Sequence, residues 1–143
     1  KSLPVKQKSI IKRNRWFYYF LFVINNKIYV RKRTQKDIWQ NLYEFVLDET
    51  NSSVPNADIN PGILKKFIGR QPFRIVSISS IYRQQLSHQY INGQFMVVAI
   101  TKEPTGLKQY ALIEKNKIKR LAFPALINQY LHSLPEFHLS KAK

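Results

Sequence analysis

Any reactive site in this chain would have to be built from three histidines, eight carboxylates and no cysteine. His88, His132 and His138 are scattered, and no pair stands at helical ligand spacing beside a carboxylate, so a zinc-type site is not expected. The missing cysteines exclude disulfides, Cys-ligated zinc, iron–sulfur clusters and thiol catalysis within this segment. The glycines are too isolated for a Walker or Rossmann phosphate loop, and no serine sits in a G-x-S-x-G turn, so a nucleophilic triad is not predicted either. One segment stands out: Gln85-Leu86-Ser87-His88-Gln89-Tyr90, between two predicted strands, with a hydroxyl and an imidazole side by side. Taken alone it is a polar β-turn with no further consequence.

Twenty-four Lys and Arg against eight acids give a net charge of +16, which points to a polyanionic partner or, more plainly, to a well-solvated surface. Distribution sharpens this. Residues 1–36 hold eleven basic side chains and no acid, Lys115, Lys117, Lys119 and Arg120 form a second basic set, and five of the acids fall within residues 37–58. Such separation predicts a basic face and an opposite neutral or acidic one. The 143 residues, with 44% hydrophobic and 13% aromatic content, suit one domain with a single packed core. The first residue is Lys1 rather than Met, so the sequence reads as a segment of a longer or processed chain. Nothing at the start resembles an export signal, and the longest apolar run, Trp16 to Ile24, is far short of the ~20 residues a spanning helix requires. The expectation is an intracellular, membrane-free domain, a monomer by default.

The elements that must hold the Ser87-His88 turn follow from periodicity. Arg15 to Ile24 is dense in aromatic and β-branched residues, a strand signature. Asn25-Asn26 suits a tight hairpin turn, with Lys27 to Arg33 returning so that Ile28 and Val30 bury one face. A short strand is expected around Leu42 to Leu47, and further strands at Phe73 to Ile81, Gln94 to Thr101 and Gln109 to Ile113. Asn60 should cap a short helix with Pro61 at its first position and Gly69 past its last turn. Pro124 opens a second helix, in which Leu126, Ile127, Tyr130, Leu131 and Leu134 fall at helical spacing. The class is α+β. Trp16, Phe17, Tyr18 and Tyr19 suit core packing of the first strand better than stacking on bases.

Several stretches, in register and in order, carry a resemblance. Leu3-Pro4-Val5 leads into Arg15-Trp16-Phe17-Tyr18-Tyr19. Then come Val30-Arg31-Lys32-Arg33, Ile38-Trp39-Gln40-Asn41-Leu42-Tyr43-Glu44-Phe45, Leu86-Ser87-His88, and Leu121-Ala122-Phe123-Pro124-Ala125-Leu126-Ile127. Over nearly its whole length the chain resembles the C-terminal domain of the MutY family of adenine DNA glycosylases. Leu86-Ser87-His88 stands where that family has a Phe-Ser/Thr-His loop. The family often has Gly, Trp and Pro where this chain has Asn41, Tyr43 and Val46, and Phe where it has Leu86.

The resemblance implies a Nudix-like mixed sheet flanked by two helices over residues 15–143, with residues 1–14 as a basic interdomain arm. It implies a non-catalytic reader of 8-oxoguanine opposite adenine, with Ser87, His88 and Leu86 as the DNA-binding residues. An N-terminal catalytic domain of the same chain, carrying a 4Fe-4S cluster, would excise the adenine; no cofactor is expected in this segment. A hydroxyl suits the reading task. Guanine offers acceptors at N7 and O6. Oxidation turns N7 into an N–H donor and adds an acceptor oxygen at C8. A serine can accept from the first and donate to the second. His88 would brace the turn or meet a phosphate. Two other functions compete: a general basic nucleic-acid-binding module, and a diverged Nudix hydrolase. The hydrolase needs an R-E-x-x-E-E helix to hold Mg²⁺ against a pyrophosphate. No such run exists here; the corresponding region offers Asp48, Glu49 and Asp58, then Lys65 and Lys66.

Overall fold

The computed structural model describes residues 11–54 and 61–134. Its central element is β1 (Arg13–Ile24). This strand runs parallel to β7 (Gln89–Ala99) in unbroken register from Arg13 opposite Gln89 to Val23 opposite Ala99. The other edge of β1 is shared between two antiparallel neighbours. β4 (Val46–Thr50) pairs with its first half and β2 (Lys27–Lys32) with its last two residues. Beyond β2 lie β3 (Tyr43–Glu44) and β8 (Ala111–Glu114), and beyond β7 lie β5 (Arg74–Ile78) and β6 (Tyr82–Gln85). Helices α1 (Pro61–Ile68) and α2 (Ala125–His132) cover opposite faces. The expected α+β class, a mixed sheet flanked by two helices, is what the structure has. Among the described residues no helix is long and apolar enough to cross a membrane.

Because side chains alternate across a strand, β1 serves two cores at once. Phe17, Tyr19 and Leu21 pack with Phe95, Leu126, Ile127 and Tyr130 under α2. Phe20, Phe22 and Ile24 pack with Leu64, Phe67 and Met96 under α1. A central strand paired in parallel and covered on both faces reads as a continuous apolar run. That explains both the aromatic density of β1 and its unfitness for base stacking: Phe17 and Tyr19 are fully buried, and Trp16 is half-buried. The same two-sided burial corrects the reading of β2, where Tyr29 is buried along with Ile28 and Val30.

Three strand boundaries depart from expectation for local reasons. The strand expected over 73–81 stops before Ser79, whose hydroxyl accepts from the Phe95 N–H (2.9 Å) and whose own N–H donates to Phe95 C=O (2.8 Å). A register shift between Ile75 and Ser77 bends β5 just before it. The segment 42–47 divides at Phe45 because its two halves pair with different partners. β7 begins at Gln89, five residues before its expected start, since its polar opening residues are held between β1 and β6. At α1, Gly69 takes φ +72 and its N–H donates to Lys65 C=O at 2.8 Å, as a helix-terminating glycine should. The Asn60 cap lies outside the described residues.

Tyr19 is stacked on Phe95 with ring centroids 5.1 Å apart. Its hydroxyl is buried without a hydrogen-bond partner among the described residues, and burial pushes its pKa well up. An orphaned buried hydroxyl costs roughly 1–3 kcal/mol. Tyr19→Phe is therefore expected to raise stability by about 1 kcal/mol in urea denaturation; a loss of stability would show that the hydroxyl is satisfied after all.

Candidate nucleic-acid interface

The Ser87-His88 turn closes the β6–β7 hairpin. Gln85 pairs with Tyr90 and Arg83 with Asn92, and the Leu86 N–H donates to Gln89 C=O at 2.8 Å. Ser87 and His88 are exposed at the tip, whereas Leu86 is half-buried against the core under α2. Of the three residues singled out in the sequence, two are thus presented to solvent and one anchors the turn. The tip is braced from β1 by the Arg13 N–H, which donates to His88 C=O at 3.2 Å. It is braced from α2 as well: Gln84 Oε1 accepts the Leu126 N–H at 3.0 Å, and Tyr82 Oη meets Ser133 Oγ at 3.0 Å.

Behind the turn, on the α2 face, lies a chain of ion pairs. Arg15 is forked onto Glu49 (Nε–Oε2 2.8 Å, Nη2–Oε1 2.9 Å) and onto Asp37 (Nη2–Oδ2 2.8 Å, Nη1–Oδ1 3.0 Å). Arg33 joins Asp37 (2.9 Å) to Glu44 (2.9 Å), and Arg31 caps Glu44 at 3.1 Å. Arg15 also donates to Gln89 Oε1 at 3.2 Å, which ties the network to the base of the Ser87-His88 turn. Three guanidinium groups and three carboxylates meet here. These three carboxylates therefore form no acidic face of their own; they neutralise arginines. The hairpin and the loop after it fold the acids of 37–49 back onto the arginines of 15–33, because a buried guanidinium is tolerated only with a carboxylate beside it.

The network also joins motif stretches that are distant in sequence. Phe17 carries the edge of Trp39 (5.8 Å) and lies under the Arg15 and Arg33 guanidinium groups. Phe45 stacks on Phe123 at 5.2 Å, and the Tyr43 N–H donates to Ala122 C=O at 2.7 Å. Asn41 holds φ +71, a left-handed conformation that explains why glycine suits this place in the family it resembles.

Around the turn on the other face the charges are not neutralised. The Arg83 guanidinium lies 3.9 Å from the Tyr90 ring centroid and Lys12 Nζ lies 4.9 Å from it. Neither cation has a carboxylate partner among the described residues. Arg83 is not marked by the sequence, and Tyr90 ends the marked segment without a role of its own. An arginine followed by two glutamines on a short strand carries no signal, and its closeness to Lys12 exists only once β1, β6 and β7 are assembled. The second basic set lies elsewhere: Lys115, its first member, donates its backbone N–H to Asn26 C=O beside the β1–β2 turn, at the far end of β1 from Arg13. Lys117 in that set is 3.8 Å from Glu114.

Helix α1 buries Leu64, Phe67 and Ile68 and leaves Lys65 and Lys66 exposed. No group of three or more His, Asp or Glu positioned to hold a metal ion occurs among the described residues. Between α1 and β5 is a cavity of about 240 Å³ lined by apolar side chains with Asp48, Thr50 and Gln94. Burial pushes the Asp48 carboxyl up while Lys66 opposes the shift.

A helix on each face of this mixed sheet, with α1 following β4, is mirrored in the comparisons. The family described as the NUDIX domain matches residues 18–133. The chain belongs to the Nudix family. No curated protein matches it. Among solved structures, this Nudix domain is similar to the C-terminal domain of mouse MUTYH, solved in complex with human PCNA. The TM-score is 0.64 at 9% identity, covering 91% of this chain and 90% of that one. It is similar to the E. coli ORF135 protein (TM-score 0.61, 10% identity, 92% and 94% covered). It is similar also to the MutT protein of Methanosarcina mazei (TM-score 0.59, 12% identity, 92% and 98% covered). At such identities these likenesses establish the fold alone.

Two measurements test the network of this Nudix domain. Glu44 is almost wholly buried, 1% exposed, and is shared by Arg31 and Arg33, so Glu44→Gln removes one of the two countercharges of Arg33 and that of Arg31 and should cost about 3 kcal/mol in denaturant unfolding. Asp37 titrates at about 2 instead of its ordinary 3.8, chiefly because Arg15 hydrogen-bonds its carboxylate. That stabilisation is present above pH 3.8 and is lost as the pH falls through about 2. Asp37→Asn should flatten the stability curve in that interval; an unchanged acid limb would remove Asp37 from the account.

Proposed function

We propose that this Nudix domain is a non-catalytic DNA-lesion reader from an adenine DNA glycosylase of the MutY type. It recognises 8-oxoguanine opposite adenine in double-stranded DNA while an N-terminal catalytic domain of the same protein, bearing a 4Fe-4S cluster, excises the adenine. Residues 1–14 act as the basic arm between the two. The observation that carries this reading is the presentation of the Ser87 hydroxyl at an exposed hairpin tip, braced from β1 and α2 and flanked by unneutralised cations. The fold likeness to the C-terminal domain of mouse MUTYH supports it. So does α1, whose exposed Lys65 and Lys66 stand where a metal-holding helix requires carboxylates.

Ser87 is the lesion-sensing residue, accepting from N7–H and donating to O8. His88 supports the turn or meets the adjacent phosphate, and Leu86 seats the hairpin in the core. A second reading, a Nudix hydrolase of oxidised nucleotides, is favoured by the likeness to the MutT protein of Methanosarcina mazei. It predicts Mg²⁺-dependent release of pyrophosphate from 8-oxo-dGTP, for which the reader hypothesis expects no signal above background. Fluorescence anisotropy with duplexes containing 8-oxoguanine:adenine and guanine:adenine decides the rest. The chain should prefer the oxidised mispair, and Ser87→Ala should reduce that preference about tenfold, the equivalent of roughly 1.4 kcal/mol for lost hydrogen bonds. Equal affinity of the unaltered chain for both duplexes at several salt concentrations would sink the lesion-reading role.

A further inference from the structure

We infer that Lys12 and Arg83, gathered on the ring of Tyr90, form a phosphate clamp that grips the nucleic-acid backbone beside the base read by Ser87. This rests on the reading proposed above and adds to it the residues that take the phosphate.

Pairing and alternation place the clamp. Arg83 is opposite Asn92, Gln85 opposite Tyr90, and Asn14 opposite Tyr90, so all these residues point to one side of the sheet. Lys12, two residues before Asn14, reaches the same ring. Both cations lie within 5 Å of one centroid, Arg83 on β6 at 3.9 Å and Lys12, just before β1, at 4.9 Å. Arg15 is on the opposite side, in the neutral network. At this end of the sheet Arg15 is thus neutralised towards α2, whereas Lys12 and Arg83 are left open towards α1.

Charge complementarity selects the partner. Two like charges brought to one ring repel, and among the described residues no carboxylate relieves them. The aromatic face lowers that cost and fixes the guanidinium plane. A fixed guanidinium with a second cation beside it is complementary to a phosphodiester, whose oxygens accept the arginine fork while the ammonium supplies point charge. Lys115, the first member of the second basic set, is too far from the clamp to grip the same short stretch of backbone. β1 rises about 3.3 Å per residue, so Lys115 at its far end is on the order of 35 Å away.

The test is the salt dependence of duplex binding by the 143-residue chain, measured by anisotropy with 8-oxoguanine:adenine and guanine:adenine duplexes. Arg83→Gln and Lys12→Gln should each lower the slope of log affinity against log salt by about 1 and weaken both duplexes equally, with the preference for the oxidised mispair unchanged. Lys27→Gln, at the β1–β2 turn, should leave the slope as it is. Tyr90→Phe should behave as the unaltered chain, whereas Tyr90→Leu keeps the slope and loses about two- to fivefold in affinity. An unchanged slope in Arg83→Gln overturns the clamp even where lesion preference persists. A reduced slope in a chain without lesion preference keeps the clamp and overturns the reader. Should Arg83→Gln weaken binding to phosphatidylserine vesicles and not to DNA, the patch belongs to a membrane surface and the clamp fails.

Discussion

The parallel pairing of β1 with β7 is the constraint from which the interface follows. It fixes Arg13 beside the backbone of His88, brings Lys12 to the ring of Tyr90, and sets Arg15 where it reaches Gln89. Parallel strands cannot be joined by a tight turn, so the chain must travel through β2, β4, α1, β5 and β6 before it returns alongside β1. Everything inserted on that route has to be compatible with a strand buried on both sides. The aromatic run from Phe17 to Phe22 meets that demand by supplying both cores at once.

A buried guanidinium is the second condition. Arg15 is only 7% exposed, and desolvation alone would disfavour its charge. The forks to Asp37 and Glu49 outweigh that term and push its pKa further up. The same arrangement consumes three of the basic residues that in a linear view seem available for a polyanion. Fewer cations are therefore open to a polyanion than the twenty-four Lys and Arg suggest. At the Ser87-His88 end of the sheet Lys12 and Arg83 are among those left without a carboxylate partner in the described residues. Phosphate attraction gives affinity without sequence information, and base-edge contacts give information. In the proposed reading the first task falls to Lys12 and Arg83 and the second to Ser87, close together at one end of the sheet.

Membership of the Nudix family constrains packing more tightly than it constrains a site. α1 keeps its packing through Leu64, Phe67 and Ile68 and stops at Gly69, while its outward positions hold lysines. The concave cavity beside it is mostly apolar, and burial there pushes the pKa of the Asp48 carboxyl up.

The sequence by itself determined the α+β class, the two helices with their proline starts and the glycine stop of α1, and the position of the Ser87-His88 turn. Each depends on neighbours a few residues apart: alternation along a strand, helical spacing, or the positive φ that glycine allows at Gly69. It marked Asn25-Asn26 correctly for the same reason, since both adopt positive φ. Tertiary structure alone decided that the strand expected over 73–81 stops before Ser79, where the β7 backbone claims the serine hydroxyl. It alone decided that Asp37, Glu44 and Glu49 neutralise Arg15, Arg31 and Arg33, and that Arg83 and Lys12 converge on Tyr90. Those outcomes depend on which strands become neighbours. Coulomb attraction and cation–π contact act through a few ångströms of space, and linear order says nothing about distance between residues that a crossover brings together.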